Sequence, residues 1–378
     1  MLINELPDDC LLAIFDQINN LHHLIACFKV CHKWSHLIAK RAKKVKYFRD
    51  YRARRPDYSP DYVYYRDRDL IDVAGLSSLF PNLIIAAFSN RFQSEVKFED
   101  IIASVRKHEP LKEMITSCRL AMEGCCDKLK MLATECSEPR ILRNCSSMKL
   151  LRIFGTLDDL KEDAQYLPNL ERLLLLINGS YFDGLVLEKL KVVVMSSNVF
   201  NLGANFYGFQ FMDLCPNLQS AHITINSSTV LVDETLKHES LQDLVIHCEH
   251  YGQICDDLER VLMKYPNLKH LALRRLINLK DEHIKQLVDI LPNLVIFDVR
   301  GCRGVTQRAA NYVQNCFERN GRSTKFYFNG NHDEIKPDWP QLYTKRQQIC
   351  RGFDFMERFF LKYRSIIGRD RRLKIRYT

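Results

Sequence analysis

Cysteine and histidine come close together at three places along the 378-residue chain: Cys27 with Cys31 and His32, the pair Cys125-Cys126, and His247-Cys248-Glu249-His250. Thiolates and imidazoles are zinc ligands and the nucleophile and base of cysteine hydrolases, so their spacing decides what chemistry is open to them. The first cluster, Cys27-Phe-Lys-Val-Cys31-His32, is one residue too long for haem attachment and sits in a helical pattern. The other two lack a second half at zinc-ligand spacing. The 14 cysteines are otherwise scattered through apolar surroundings with no Cys-x-x-Cys pair, which reads as reduced, buried small hydrophobes. There is no P-loop, no Gly-x-Gly-x-x-Gly after a strand, no Gly-x-Ser-x-Gly and no His-Glu-x-x-His. The expectation is a protein with no metal, no cofactor and no catalytic residues of its own.

The elements that must carry whatever function remains are those of a globular chain. Hydrophobic residues make up 46% and charged residues 27%, with 14 Gly and 12 Pro, which excludes collagen-like and wholly disordered classes. The longest apolar runs, 83–88 and 173–177, fall far short of the roughly 18 residues of a membrane span. Glu5, Asp8 and Asp9 stand where a secretory signal would be basic and then apolar, so an intracellular protein, cytoplasmic or nuclear or both, is expected. The net charge of +9 is concentrated in two segments. Residues 40–55 hold nine Lys/Arg against Asp50 alone, and residues 336–378 hold twelve against four acids, so everything else is net acidic.

At the N-terminus Pro7, Asp8 and Asp9 form a helix-start signal, the two carboxylates being favoured by the helix dipole. Leu11, Ile14, Phe15 and Ile18 follow at helical spacing. After Asn19-Asn20, Leu21, Leu24, Ile25 and Phe28 repeat it, and Trp34, Leu37 and Ile38 form a third stripe ending in the basic run from Lys40. Three short helices are too small a unit to bury all three stripes. A DNA-binding helix-turn-helix is one reading of three helices before a basic run, but the third helix presents Trp34, Leu37 and Ile38 rather than Arg, Asn or Gln.

The order Leu6-Pro7-Asp8-Asp9, Leu11, Ile14-Phe15, Leu21, Leu24, Cys27 and Val30-Cys31-His32-Lys33-Trp34 resembles an F-box. That resemblance implies a three-helix module docking on the Skp-type adaptor of cullin-RING ubiquitin ligases, which would cover the spare stripes. Carried over by position, it makes Leu6, Pro7, Leu11, Ile14, Phe15, Leu24, Val30 and Trp34 the adaptor-contact candidates, with Phe28, Leu37 and Ile38 expected to hold the module together.

Pro-Asn-Leu recurs at 81, 168, 216, 266 and 292, each with apolar residues three and five places after the Leu. With the weaker copies, ten units begin at Leu83, Leu111, Leu129, Leu150, Leu170, Leu190, Leu218, Leu241, Leu268 and Leu294, the register being firm from Leu170. Each unit supplies a short strand with three inward side chains and a covering return segment, and only a stack of units has a core. The segments after Leu268 and Leu294 predict helices, through Ile284, Leu287, Val288 and Leu291 and through Ala309, Ala310, Val313 and Phe317. The second resembles the cysteine-containing leucine-rich repeat of F-box proteins, and the order of modules is that of the F-box and leucine-rich-repeat family.

The predicted architecture is α/β: an F-box at 1–39, a basic and Tyr-rich linker at 40–69, a curved leucine-rich-repeat solenoid at 70–328 with a parallel concave sheet and outer helices, and a basic C-terminal capping segment at 329–378. In the linker, Arg and Tyr interleaved could stack on RNA, but solvated charges and tyrosines packed on the first repeat are the preferred reading. Residues 352–367, with Phe353, Met356, Phe359, Phe360 and Tyr363 on one side, are expected to form a capping helix.

The resemblance implies a non-catalytic substrate receptor of an SCF-type E3 ubiquitin ligase. Its partners are a Skp-type adaptor and through it a cullin-RING ligase, and its target is a protein directed to proteasomal degradation. Target contacts are expected between the inward leucines, at Arg172, Ser220, His222, Asp243, His247, His270, Arg274, Asp298 and Arg300. Membrane and nucleic acid are not expected partners. The alternative is a nucleic-acid-associated scaffold using 40–55 and 336–378.

Overall fold

A computed structural model describes residues 3–49, 61–65, 75–88, 98–116, 127–134, 141–153, 157–177, 183–197, 205–227, 229–248 and 254–331. The chain divides into two compact units, Met1–Phe154 and Gly155–Thr378. The capping helix expected at 352–367 and the pair Cys125-Cys126 lie outside the described residues.

The first unit opens with helices α1 (Asp8–Asp16), α2 (Leu21–Phe28) and α3 (His32–Ala42). Pro7 holds the N-cap position of α1, its carbonyl accepting the Leu11 N–H at 3.1 Å, and the Asn20 side chain accepts the His22 N–H at 2.8 Å to cap α2. The core of the module is Leu11, Phe15, Leu21, Leu24, Leu37 and Ile38, with Phe15 meeting Trp34 edge to face at 5.0 Å between ring centres. Lys33 Nζ ties the N-terminal turn down, reaching the Leu6 carbonyl at 2.9 Å and the Asn4 carbonyl at 3.2 Å.

From α3 the chain runs directly into a parallel sheet. Strands β1 (Tyr47–Arg49), β2 (Tyr62–Tyr64), β3 (Ile85–Phe88), β4 (Glu113–Thr116), β5 (Met131–Thr134) and β6 (Leu150–Ile153) lie in the order β2-β1-β3-β4-β5-β6. The segment read as a linker thus supplies two strands of the sheet, with Tyr47, Tyr62 and Tyr65 buried. The missing signal is the leading leucine: Val45 and Phe48, both fully buried, fill the first and fourth positions of the unit instead.

The second unit stacks β7 (Arg172–Ile177), β8 (Val192–Ser197), β9 (Ser220–Ile225), β10 (Asp243–Cys248), β11 (His270–Arg274), β12 (Ile296–Asp298) and β13 (Lys325–Tyr327) in chain order, every described neighbour pair parallel. Helices cover the returns. They include Gly208–Asp213, Leu258–Leu262, and the two that the periodicity predicts, α4 (Asp281–Ile290) and α5 (Gln307–Arg319), whose buried residues are Ile284, Leu287 and Val288, and Ala309, Val313 and Phe317.

The hydrogen bonds explain the repeat. The N–H groups of Leu83, Leu111, Met148, Leu170, Leu190, Leu218, Leu268 and Leu294 each donate to the carbonyl three residues earlier at 2.9–3.4 Å, a tight turn that aims the strand. One residue on, a single carbonyl accepts two amides of the next unit, as Glu171 does from Lys191 and Val192, and Gln242 from Lys269 and His270. The Asn of Pro-Asn-Leu then staples neighbouring turns: the amide groups of Asn82, Asn217, Asn267 and Asn293 donate to the carbonyls of Lys43, Glu188, Glu239 and Pro266 at 2.7–3.1 Å.

This register corrects one start site. Leu151 pairs with Leu132 and Lys149 bonds Lys130, so the unit expected to begin at Leu150 begins at Met148, with Leu151 and Ile153 inward. Elsewhere the inward triplets fall as spaced: Leu170, Leu173 and Leu175; Leu190, Val193 and Met195; Leu218, Ala221 and Ile223; Leu268, Leu271 and Leu273 are all buried.

Candidate interaction surfaces

Two surfaces follow from these elements. The first lies on the helical module of the first unit. Burying Leu11 and Phe15 in α1 and Leu21 and Leu24 in α2 uses up the small core, and the rest of each stripe faces outward. Ile3, Ile14, Ile25, Phe28 and Val30 are left 40–54% exposed, and Pro7 and Cys10 are exposed beside them. Apolar side chains at this density on one small module mark a docking face.

Of the adaptor-contact candidates, Pro7, Ile14 and Val30 are exposed and Leu6 and Trp34 part-buried. Leu11, Phe15 and Leu24 are core: they can shape the face but are covered by the module itself. Phe28, expected to be structural, is instead half exposed, and Ile3 and Ile25 join it; the signal lies in the second stripe, wider than two buried leucines need.

The module is fixed to the sheet of its own unit. The Tyr64 N–H donates to the Asn19 carbonyl at 2.8 Å, so the α1–α2 turn covers the outer edge of β2. Beneath it lies Arg41, with no exposed surface, its Nη2 donating to Asn19 Oδ1 at 3.1 Å and to the Tyr62 carbonyl at 3.3 Å. Burial pushes the Arg41 guanidinium below its ordinary value, opposed by Asp16 and Asp61. Lys44 pairs with Asp16 at 2.7 Å and Lys46 with Asp61 at 3.8 Å. Three of the basic residues in 40–49 are therefore engaged within the protein, which weakens the nucleic-acid reading; residues 50–55 and 332–378 lie outside the described residues.

The second surface is the open face of the sheet in the second unit. Strand pairing sets Arg172, Ser220, Asp243 and His270 in one row, His222 and Asp298 in the next, and His247 and Arg274 in a third, while Arg300 lies just past the end of β12 with its Nε on Asp298 Oδ1. Eight of the nine target-contact candidates thus share the face opposite the inward leucines, and the ninth, Arg300, is held beside them by Asp298. Ser220, His247 and Asp298 are largely covered by their neighbours, and the others are part-exposed. Lys325 and Tyr327 on β13 extend the first two rows; sequence reading misses them because Ser323 stands where the leading leucine of that unit is expected.

On this face one carboxylate joins a hydroxyl to an imidazole. Ser220 Oγ donates to Asp243 Oδ2 at 2.5 Å, and His270 Nδ1 lies 2.5 Å from Asp243 Oδ1. The carboxylate stands between hydroxyl and imidazole, whereas activation of a serine needs the imidazole in the middle. At the far end Asp298 is fully buried, accepting Arg300 Nε at 2.9 Å and Nη2 at 3.1 Å, with Arg274 Nη2 at 3.7 Å. Among the described residues no group of three or more His, Cys, Asp or Glu side chains is placed to hold a metal, and no helix is long and apolar enough to cross a membrane. His247 and Cys248, adjacent on β10, point to opposite faces, and burial pushes the Cys248 thiol up to about 12.

Residues 3–46 match the F-box domain family. No curated protein is significantly similar to the chain. Among solved structures it is similar to the leucine-rich-repeat-containing protein LegL7 of Legionella pneumophila, at 12% identity and a TM-score of 0.42 over 65% of this chain and 93% of that one. It is similar also to an internalin (InlF) of Listeria monocytogenes, at 9% identity and a TM-score of 0.42 over 81% and 88%. A third similarity is to the Rad7 and Elc1 complex of yeast, at 15% identity and a TM-score of 0.34 over 63% and 74%. All three superpositions are loose, and the repeat architecture rests on the hydrogen-bond register of the chain itself.

Proposed function

We propose that this protein, an F-box domain followed by leucine-rich repeats, is the substrate-recognition subunit of an SCF-type E3 ubiquitin ligase. The F-box docks on a Skp-type adaptor and through it on a cullin-RING assembly, and the open sheet face of the repeats holds a protein destined for ubiquitylation and proteasomal degradation inside the cell. The receptor is non-catalytic: its contribution is the raised local concentration of a target lysine beside the charged E2.

The observation that carries this reading is the set of exposed apolar side chains, Ile3, Ile14, Ile25, Phe28 and Val30, on the module that matches the F-box. The test is reconstitution of the full chain with a Skp-type adaptor, a neddylated cullin-RING pair, E1, E2 and ubiquitin. Self-ubiquitylation of the chain that requires the adaptor, and that Ile14→Asp abolishes, is the expected result. An adaptor-bound chain that never acquires ubiquitin would overturn the ligase assignment.

A further inference from the structure

The open sheet face of the second unit differs in charge from the body of the chain. Its described outward positions carry Arg172, Arg274, Arg300 and Lys325 against Asp243 and Asp298, a surplus of two positive charges before any histidine is protonated. Outside residues 40–55 and 336–378 the chain as a whole is net acidic, so this surplus is local. It is also concentrated: Arg274, Arg300 and Lys325 stand on or beside the last three strands, with Asp298 as the only acid among the described outward positions there.

Asp298 is placed to orient those charges. Its carboxylate is fully buried, and it accepts a two-pronged contact from Arg300 while Arg274 Nη2 stays 3.7 Å away. The Arg300 N–H also donates to Oδ1, at 3.0 Å, fixing the backbone at the strand end. One carboxylate thus serves two guanidiniums that remain 24% and 29% exposed, a pair of planar cations held in place in a group whose net charge is positive. Planar guanidiniums held this way suit carboxylates, which they grip through paired N–H groups.

We infer that the open face of the C-terminal repeats docks an acidic, Asp/Glu-rich protein segment, anchored on Arg274 and Arg300. This rests on the receptor reading above and names the class of target. Steering by the local positive field speeds encounter, and the oriented pair sets the register of the bound segment.

The test is fluorescence anisotropy of a labelled oligoglutamate peptide titrated with the full chain at physiological salt. The variant R274Q/D298N/R300Q removes the pair together with the acid that would otherwise be left buried and unpaired, a net loss of one positive charge. R371Q, in the basic C-terminal segment, loses the same charge. The triple variant is expected to weaken binding about tenfold and R371Q less than about twofold, since a specific charge-assisted pair contributes more than diffuse charge. Lys325→Gln, on an exposed side chain, is expected to lose about threefold and keeps the test valid should the triple variant fail to fold. Equal losses in the triple variant and R371Q, or no loss in Lys325→Gln, would overturn the inference. Tighter binding of oligouridylate than of oligoglutamate through Arg274 and Arg300 would also overturn it, assigning the face to nucleic acid. Failure of the receptor reading registers separately: a chain that ignores the adaptor but binds oligoglutamate through these arginines keeps the docking face and loses the ligase assignment.

Discussion

Lys264 has no exposed surface, and no periodicity in its neighbourhood foretells that a lysine sits there. Its Nζ reaches both oxygens of Asp213, at 2.6 and 2.9 Å, and His238 Nε2 meets the same carboxylate at 2.9 Å, so three consecutive repeats are joined by one buried ionic contact. Removing one partner of such a pair strands the other charge. Lys264→Ala should cost about 3–5 kcal/mol in urea unfolding, whereas Lys269→Ala, on an exposed side chain, should cost less than about 0.5 kcal/mol. The cysteines divide by burial rather than uniformly: Cys145, Cys215, Cys248 and Cys302 are buried, Cys10 is exposed and the other described ones lie between. Burial pushes the Cys302 thiol to about 12 and the part-buried Cys255 to about 11. A thiol reacts as its thiolate, and a raised pKa leaves almost none at pH 7.5. Among the described cysteines, mass-mapped alkylation of the native protein at that pH should modify Cys10 before the others and spare Cys248 and Cys302 until the chain is unfolded.

The elements are legible wherever leucine marks them. Pro-Asn-Leu announces its units because its Leu fills the interior and its Asn ties one turn to the next. Asn267→Ala removes one such staple and should cost about 1 kcal/mol of stability, read as a lowered urea midpoint with unchanged slope. The units beginning at Val45 and Met148 are obscured because the turn is made by backbone hydrogen bonds, which any residue can supply, while the leading side chain varies. The edge strand β2 is hidden for a different reason. It pairs out of chain order on the far side of β1, and its outer edge is covered by the Asn19-Asn20 turn of the helical module, a contact between segments far apart in sequence. Arg41→Ala should loosen that joint. It takes from Asp16 its buried neighbour and from the Tyr62 carbonyl the Arg41 donor, and amide exchange should quicken at Tyr64 and through α3 while β11 and β12 are unaffected.

At the scale of the whole molecule, two surfaces of opposite character emerge on one chain: an apolar face on a three-helix module and a polar, cation-bearing face on a parallel sheet. The first is readable as surplus, since three apolar stripes exceed what so small a module can bury. Which residues form it is not, because helical spacing gives a stripe but not the side of the stripe that the core takes; Phe28, expected inside, lies outward, and Leu24, expected at the contact face, lies in the core. The second face is readable as the alternate positions of each strand, and strand pairing brings eight of the nine together, with Arg300 held at the strand end by Asp298. The buried state of Asp298 cannot be read from that alternation, as it depends on arginines arriving from the neighbouring strand and from its own strand end. The central claim is that the apolar face is an adaptor-docking surface. The most direct measurement is isothermal titration calorimetry of a purified Skp-type adaptor into the full chain, with Phe28→Asp compared after its helix content is checked by circular dichroism. A 1:1 complex that Phe28→Asp weakens at least about a hundredfold, while R274Q/D298N/R300Q leaves it unchanged, is the predicted result. Absence of binding by the wild type, or binding untouched by Phe28→Asp, would contradict it.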